Sequence, residues 1–408
     1  MKILVVCSDF PYPADHGGRV DTWGRIRALA ELGWRIDLAV CGKQAPSAAD
    51  REAASAYVNR ILFRERTSKL TDLLHKLPMQ VQSRVGLRRM ELEGGYDYVL
   101  LEGDYVYPIL EHPAISPASA ILRVHNDEAA YFKALARSAG NPAHKLYYYI
   151  ESLKFAGLQE RMRRKVDNYL FISSKEYDRF RERDPRTISR FLPPPTTREV
   201  FKPGTFHRGH VVFIGSLFMP NNREAIQWYL THVHPKLRGE PGYRFIVAGN
   251  TRGRGLDWLK GADLIDVEVH DTPESLDDIY EQGYLFVNPM RNGAGVKLKT
   301  IEAIQNGLPV VSTSVGCEGT GLVDGEHILV ADSPEAFCDR IRLLLRDPGM
   351  AGKLLESSQL FIRTCYNHKE VLKEFFQSLG SPISHEWSAS DAQDSQQKNQ
   401  RHVCDTRG

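Results

Sequence analysis

Residues 288–319 read NPMRNGAGVKLKTIEAIQNGLPVVSTSVGCEG, and their pattern decides the fold. An apolar run at 285–287 leads in, and a loop with glycines at 293 and 295 follows. Helical spacing then runs between Val296 and Asn306, and a second apolar run occupies 309–312. Short, uniformly apolar strands on either side of a helix are the mark of a parallel sheet covered on both faces, because a parallel neighbour is reached only through a crossover.

The same alternation extends outward. At the start of the chain KILVVC (2–7) is a continuous apolar run, followed by the turn-rich SDFPYPADHGG. Val20, Trp23, Ile26, Leu29 and Leu32 then recur at helical spacing, Gly33 stands where a helix should end, and 35–40 reads as the next strand. Strand, helix and strand within this length make a βαβ unit with a right-handed crossover. Further strands are expected at 98–101, 120–124 and 168–172; the aromatic run Tyr147, Tyr148 and Tyr149 reads as packing. Near Leu192 the stretch PPPTTREVFKPGTFHRG breaks both periodicities and marks a boundary. The pattern then restarts, with strands expected at 210–214 and 243–248, a strand end at 267–271 where loop backbone would recognise a base, and a further strand at 328–330. Helices are expected through Ala225, Ile226, Trp228, Tyr229 and Val233, at 336–345, and finally at 363–379. The prediction is an α/β chain of two Rossmann-like, doubly wound domains facing across a cleft. Its parts are an N-terminal domain (1–195), a second domain (205–362), a closing helix (363–380) and a polar tail (381–408) expected to be disordered.

Composition narrows the function. The 408 residues carry 53 Lys plus Arg against 51 Asp plus Glu, a net +2, so nothing in the balance calls for nucleic acid. Six scattered cysteines, with no CxxC pair, argue for a reducing compartment and against structural zinc. The first thirteen residues are too short an apolar run for a signal peptide, and no window is long and apolar enough for a membrane span. The expectation is a cytoplasmic protein, at most peripheral on the cytoplasmic membrane face. Clusters at Arg84, Arg88 and Arg89 and at Arg161, Arg163, Arg164 and Lys165 are where such contact would be sought, although solvated helix surfaces account for most of them.

Open α/β sheets bind ligands where strands end and helices begin. Gly17 and Gly18 precede a helix and permit a ligand to approach the backbone; a plain tight turn is the simpler account of a glycine pair alone, and no GxGxxG is present. In 288–319, Arg291, Lys297 and Lys299 gather around Gly293 and Gly295 at a helix start, a plausible diphosphate cradle. Glu302, inside that helix, can accept two hydrogen bonds from a vicinal diol such as a ribose. A solvated charged face with Lys299 and Glu302 paired is the bland alternative, and the flanking glycines tilt against it. His125 ends the strand of RVHNDE. Asp127 and Glu128 beside it read as helix-capping charges, and Asp15, His16 and Arg19 as loop polarity or acceptor contacts.

FIGSLFMPNN, IVAGN, NPMRNGAGVKLKTIEA, NGLPVVSTSVGCEG and DGEHILVAD together resemble the C-terminal domain of the retaining, nucleotide-sugar-dependent glycosyltransferases of the GT-B fold, glycosyltransferase group 1. KILVVCSDFPYPADHGGR and RVHNDEAAYF extend the resemblance more loosely into the first domain. It implies transfer of a sugar from a nucleotide diphosphate sugar to a glycan or lipid-linked acceptor, with retention, in polysaccharide or glycoconjugate synthesis, and with neither cofactor nor metal. Glu302 would hold the donor ribose. Arg291 and Lys297 would neutralise the leaving diphosphate, and His125 would sit beside the donor sugar. Gly17, Gly18, Gly215, Asn222, Gly293, Gly295 and Lys299 complete the expected donor site. Three positions depart from the family pattern: Ala294 stands for its first glutamate, and Ser216 and Asn222 for its arginine and lysine after the first strand of the second domain. A GT-B sugar-nucleotide epimerase and a non-catalytic sugar-nucleotide-binding scaffold remain the alternatives.

Overall fold

The computed structural model describes residues 1–15, 17–115, 118–196, 201–204, 209–293 and 295–380, and the backbone alone of Leu70. His16, Ala294 and the tail 381–408 lie outside the described residues. The chain divides into two compact units, Met1–Pro195 with the segment beginning at Asn367, and Thr196–Tyr366.

The first unit holds seven parallel strands: β1 (Lys2–Cys7), β2 (Arg35–Gly42), β3 (Arg60–Glu65), β4 (Tyr98–Glu102), β5 (Ser119–Val124), β6 (Asn168–Phe171) and β7 (Ile188–Phe191), in the order β3-β2-β1-β4-β5-β6-β7. β1 is central, with Val5 opposite Leu38 on one side and Leu100 on the other. Residues Ile3 to Val6 are fully buried, which is why this strand is apolar without alternation. The second unit repeats the plan with β8 (His210–Ile214), β9 (Arg244–Gly249), β10 (Val267–Asp271), β11 (Leu285–Asn288), β12 (Val310–Ser312) and β13 (Leu329–Val330), in the order β10-β9-β8-β11-β12-β13. In each sheet the strand order reverses beside the unit's first strand. Connections leaving the two strands there diverge to opposite sides and open a crevice at their carboxyl ends.

Each expected strand forms, with bounds shifted by a residue or two at most. β3 and β7 were not anticipated. β3, at a sheet edge, reads RILFRE and is only partly buried, so it lacks the apolar run that marks the interior strands. The single helix expected at 363–379 is corrected to two. One helix, Pro348–Cys365, ends where Tyr366 donates its hydroxyl to the Thr320 carbonyl at 2.9 Å. A second, His368–Gly380, starts where the Asn367 side chain accepts from the Glu370 amide. This last helix belongs to the first unit: Phe376 lies 4.4 Å from Trp34 between ring centroids, and Leu372 and Phe375 are fully buried.

His368, at the head of that helix, is buried, and its Nε2 meets the Pro193 carbonyl oxygen at 2.6 Å. Burial pushes its pKa down from 6.5 to about 4. The unfolded chain would protonate this ring below about 6.5 while the folded one keeps it neutral, so stability is full above that pH and drains as pH falls toward 4. The urea midpoint should therefore drop between pH 7 and 5, and His368→Gln should flatten that drop; an equal drop in the variant would remove His368 as its cause.

Candidate functional site

In the second unit two loops leave the crevice beside β8 and β11. β8 ends at Ile214, and its continuation, Gly215 and Ser216, leads into the helix Pro220–His232. β11 ends at Asn288, and the loop after it leads into the helix Leu298–Gln305. The buried Asn288 amide fixes this geometry. Its Nδ2 donates to Thr300 Oγ1 at 2.9 Å and to the Gly316 carbonyl at 2.8 Å, tying the strand end to the helix start and to the turn after β12.

Lysine placement follows from these loops. Lys297 occupies the N-cap position and is 7% exposed. Its ammonium donates to the carbonyls of Gly293 at 3.0 Å and Gly295 at 2.5 Å, closing the loop on itself. Both glycines have positive φ, 122° and 81°, which a residue with a side chain adopts only under strain. Lys299 reaches the other loop: its Nζ donates to Asn222 Oδ1 at 2.5 Å and lies 4.7 Å from the centre of the Phe213 ring. Asn222 is oriented for this by donating its own Nδ2 to the Ser216 carbonyl at 3.0 Å. Gly215 packs tightly against this pair: a Cβ there would approach both Asn222 Nδ2 and Lys299 Nζ to 3.0 Å, so both side chains would have to shift by a few tenths of an ångström. Burial lowers the pKa of both amines. For Lys299 the fall is to about 7, with Lys297 adding to it and Glu302 opposing it.

The structure thus joins Gly215, Asn222 and Lys299 directly, and Gly293, Gly295 and Lys297 directly. Glu302 stands one helical turn beyond Lys299 and is partly buried. Arg291 is exposed, its guanidinium 5.7 Å from the Trp228 ring centre. The Lys299 ammonium thus stands beside Asn222, the position at which the resemblance calls for a lysine. Asp271, at the end of β10, holds the Thr251 amide at 3.0 Å and hydroxyl at 2.7 Å.

In the first unit, a Cβ at Gly17 would meet nothing within 4 Å, so no neighbour requires a glycine there. The helix Gly17–Glu31 begins at that residue and Gly18 is exposed in its first turn. Asp127 caps the helix Glu128–Ser138 by accepting from the Ala130 amide at 3.0 Å, as expected. Arg19 pairs with Asp9 at 2.8 Å and Asp15 at 3.2 Å. His125 follows β5 and its Nε2 lies 3.2 Å from Glu102 Oε2 at the end of β4.

Behind His125 is an ion network that sequence reasoning missed. Arg25 grips Glu102 through Nε at 2.9 Å and Nη2 at 2.5 Å, and Asp21 through Nη1 at 3.1 Å and Nη2 at 2.9 Å. Arg123 grips Asp21 at 3.1 and 2.7 Å and also donates to the Leu192 carbonyl. Asp21, Arg25 and Arg123 are fully buried. Burial alone would raise both carboxyls, but the guanidinium groups hold Asp21 well below the usual range and Glu102 at about 2. A legible signal existed: Asp21 and Arg25 are spaced i, i+4 in a helix, and Arg123 interrupts an apolar strand, and buried charges must find partners. Ligand atoms of Asp21, Glu102 and His125 lie within 4.8 Å of one another. With two guanidinium groups already on these carboxylates, a metal cation there would meet strong repulsion.

Residues 208–347 match the family described as glycosyl transferases group 1. An uncharacterized 44.6 kDa protein in the cps region of Klebsiella pneumoniae is 36% identical over 388 residues, covering 92% of this chain and 99% of that protein. Among solved structures, sucrose-phosphate synthase from Thermosynechococcus elongatus has a TM-score of 0.61 at 14% identity, covering 93% of this chain and 99% of its own. An S. aureus TarM variant in complex with fondaparinux, alpha-GlcNAc-glycerol and UDP has a TM-score of 0.62 at 9% identity, covering 93% and 100%. Residues 208–347 thus carry a glycosyl transferases group 1 domain, in a chain with the GT-B fold of two Rossmann-like domains.

Removing one partner of a buried ion pair costs roughly 3–5 kcal/mol, because the other charge is stranded. Glu102→Gln should lower the unfolding free energy by about that much, and His125→Ala, at a partly exposed ring, by far less. Equal losses in denaturant titrations would mean that the network does not hold the strand ends.

Proposed function

We propose that this glycosyltransferase moves a sugar from a nucleotide diphosphate sugar to a glycan or lipid-linked acceptor, with retention and without a metal. What carries the reading is the pair of desolvated lysines at the crevice of the second sheet. Lys297 and Lys299 sit at a helix start, held by carbonyl and amide oxygens. An anion arriving there meets two ammonium groups, loop amides and a favourable helix dipole in a medium that screens charge poorly. Departure of a nucleoside diphosphate builds negative charge on its terminal phosphate, and fixed cations stabilise that charge in place of a divalent ion.

Roles follow from position. Lys299, Lys297 and the backbone of Gly215, Gly293 and Gly295 hold the diphosphate, with Asn222 keeping the Lys299 ammonium in place. Glu302 takes the ribose hydroxyls and Arg291 reaches the diphosphate from the exposed side. In the first unit, His125, 3.2 Å from Glu102, and the exposed Gly17 and Gly18 are the residues that the sequence resemblance would give to the sugar. Support also comes from the family match, and UDP in the TarM complex makes UDP the first nucleotide to try.

Calorimetry with UDP should show at least tenfold weaker binding for Glu302→Ala and for Lys299→Met, about 1.4 kcal/mol each. Unchanged affinity in both would contradict the donor site. Turnover should survive a chelator; its loss would overturn metal independence.

A further inference from the structure

The helix Pro142–Met162 is apolar on two sides. Phe155, Leu158 and Met162 are buried against the first unit. On the outer side Leu146, Tyr149, Ile150 and Leu153 recur at i, i+3, i+4 and i+7, the spacing of a buried helical stripe, yet they are 60, 50, 41 and 55% exposed. The turn holding Leu73 and Leu74 is bound to this helix, since Lys154 donates to the Leu73 carbonyl at 2.9 Å, and Leu74 is 89% exposed. Scattered exposed leucines are ordinary; a continuous stripe of them marks an interaction surface.

Charge around the stripe is one-sided. Lys133, Arg137 and Lys145 line a shallow pocket together with Leu146 and Tyr149, and Lys69 and Lys76 flank the leucine turn in exposed positions. Carboxylates of the same elements are turned inward and occupied. Asp72 accepts the Lys69 amide at 2.8 Å, Glu128 accepts the Tyr105 hydroxyl at 2.9 Å, and Glu151 accepts the Met79 amide at 2.7 Å and the Lys154 ammonium at 2.9 Å. All three are buried. Further along the helix, Glu160 lies within ion-pair reach of Arg163 and Arg164, and Arg84 is buried, so the basic clusters singled out in the sequence are not this surface.

We propose that this face of the first unit lies in the interface of an anionic lipid bilayer, with helix Pro142–Met162 parallel to the membrane plane. The stripe would enter the boundary between headgroups and acyl chains, and the lysines and Arg137 would meet anionic headgroups. A second copy of this chain fits less well, because a two-fold contact would set the same cationic rim against itself. The inference builds on the lipid-linked acceptor of the preceding section, for it brings the enzyme to where such acceptors lie.

Sedimentation of the full chain with vesicles tests it without measuring transfer. The protein should pellet with phosphatidylcholine vesicles containing phosphatidylglycerol, pellet less at high salt, and pellet little with phosphatidylcholine alone. The triple variant L146S/Y149S/L153S, altered only at exposed positions, should bind at least tenfold more weakly with an unchanged thermal midpoint. Three results would overturn the proposal: no binding to the anionic vesicles, full binding by the triple variant, or a dimer in light scattering that the triple variant dissolves. UDP calorimetry on the same samples separates the readings, since nucleotide binding without vesicle binding overturns this surface and spares the donor site.

Discussion

Parallel pairing is the constraint from which the rest of this structure follows. Each strand must return through a crossover to run beside its neighbour in the same direction, so all the carboxyl ends of a sheet lie along one edge. Because β1 and β8 each sit in the middle of their sheets, the connections beside them part and leave backbone and side chains exposed at a crevice. Gly215, Asn222, Asn288 and the two lysines gather at one such edge, and Glu102 and His125 at the other. Their convergence needs no special device beyond the sheet order.

The two edges are charged differently. Behind His125, two buried guanidinium groups face two buried carboxylates, a closed arrangement whose purpose is position: it pins the ends of β4 and β5 and the helix after β1 to one another. At the second edge the Lys299 ammonium touches an amide oxygen, a thioether and an aromatic face. Burial and the neighbouring Lys297 make its charge costly there, and an anionic ligand would relieve that cost. Beside Asn222 the amine arrives from the helix Leu298–Gln305, as Lys299.

Much of the fold could be read from the sequence because interior parallel strands are apolar throughout, and KILVVC or HVVFI has few other uses. Edge strands such as RILFRE escaped because they are half-solvated and their composition resembles a loop or helix. The final helix was misjudged for a related reason. Its apolar period is continuous, and only Asn367 marks the break. Candidate donor residues were legible as a cluster of lysines and glycines within a dozen positions. The network of Asp21, Arg25, Glu102 and Arg123 is legible only in part: the i, i+4 pair and the charge inside an apolar strand show, but its members come from three separate elements and meet only through the sheet. The outward stripe on helix Pro142–Met162 was hidden differently: a helix apolar on both faces reads as wholly buried, and the aromatic run at 147–149 was accordingly read as packing.

Proton uptake on nucleotide binding tests the central claim most directly. In the free protein Lys299, with a pKa of about 7, is largely neutral at pH 8, and a bound diphosphate would restore its charge. Calorimetry of UDP binding at pH 8 in buffers of different ionisation enthalpy should reveal uptake approaching one proton, lost in Lys299→Met. Binding with no proton uptake, or uptake unchanged in that variant, would contradict the assignment of this lysine to the diphosphate.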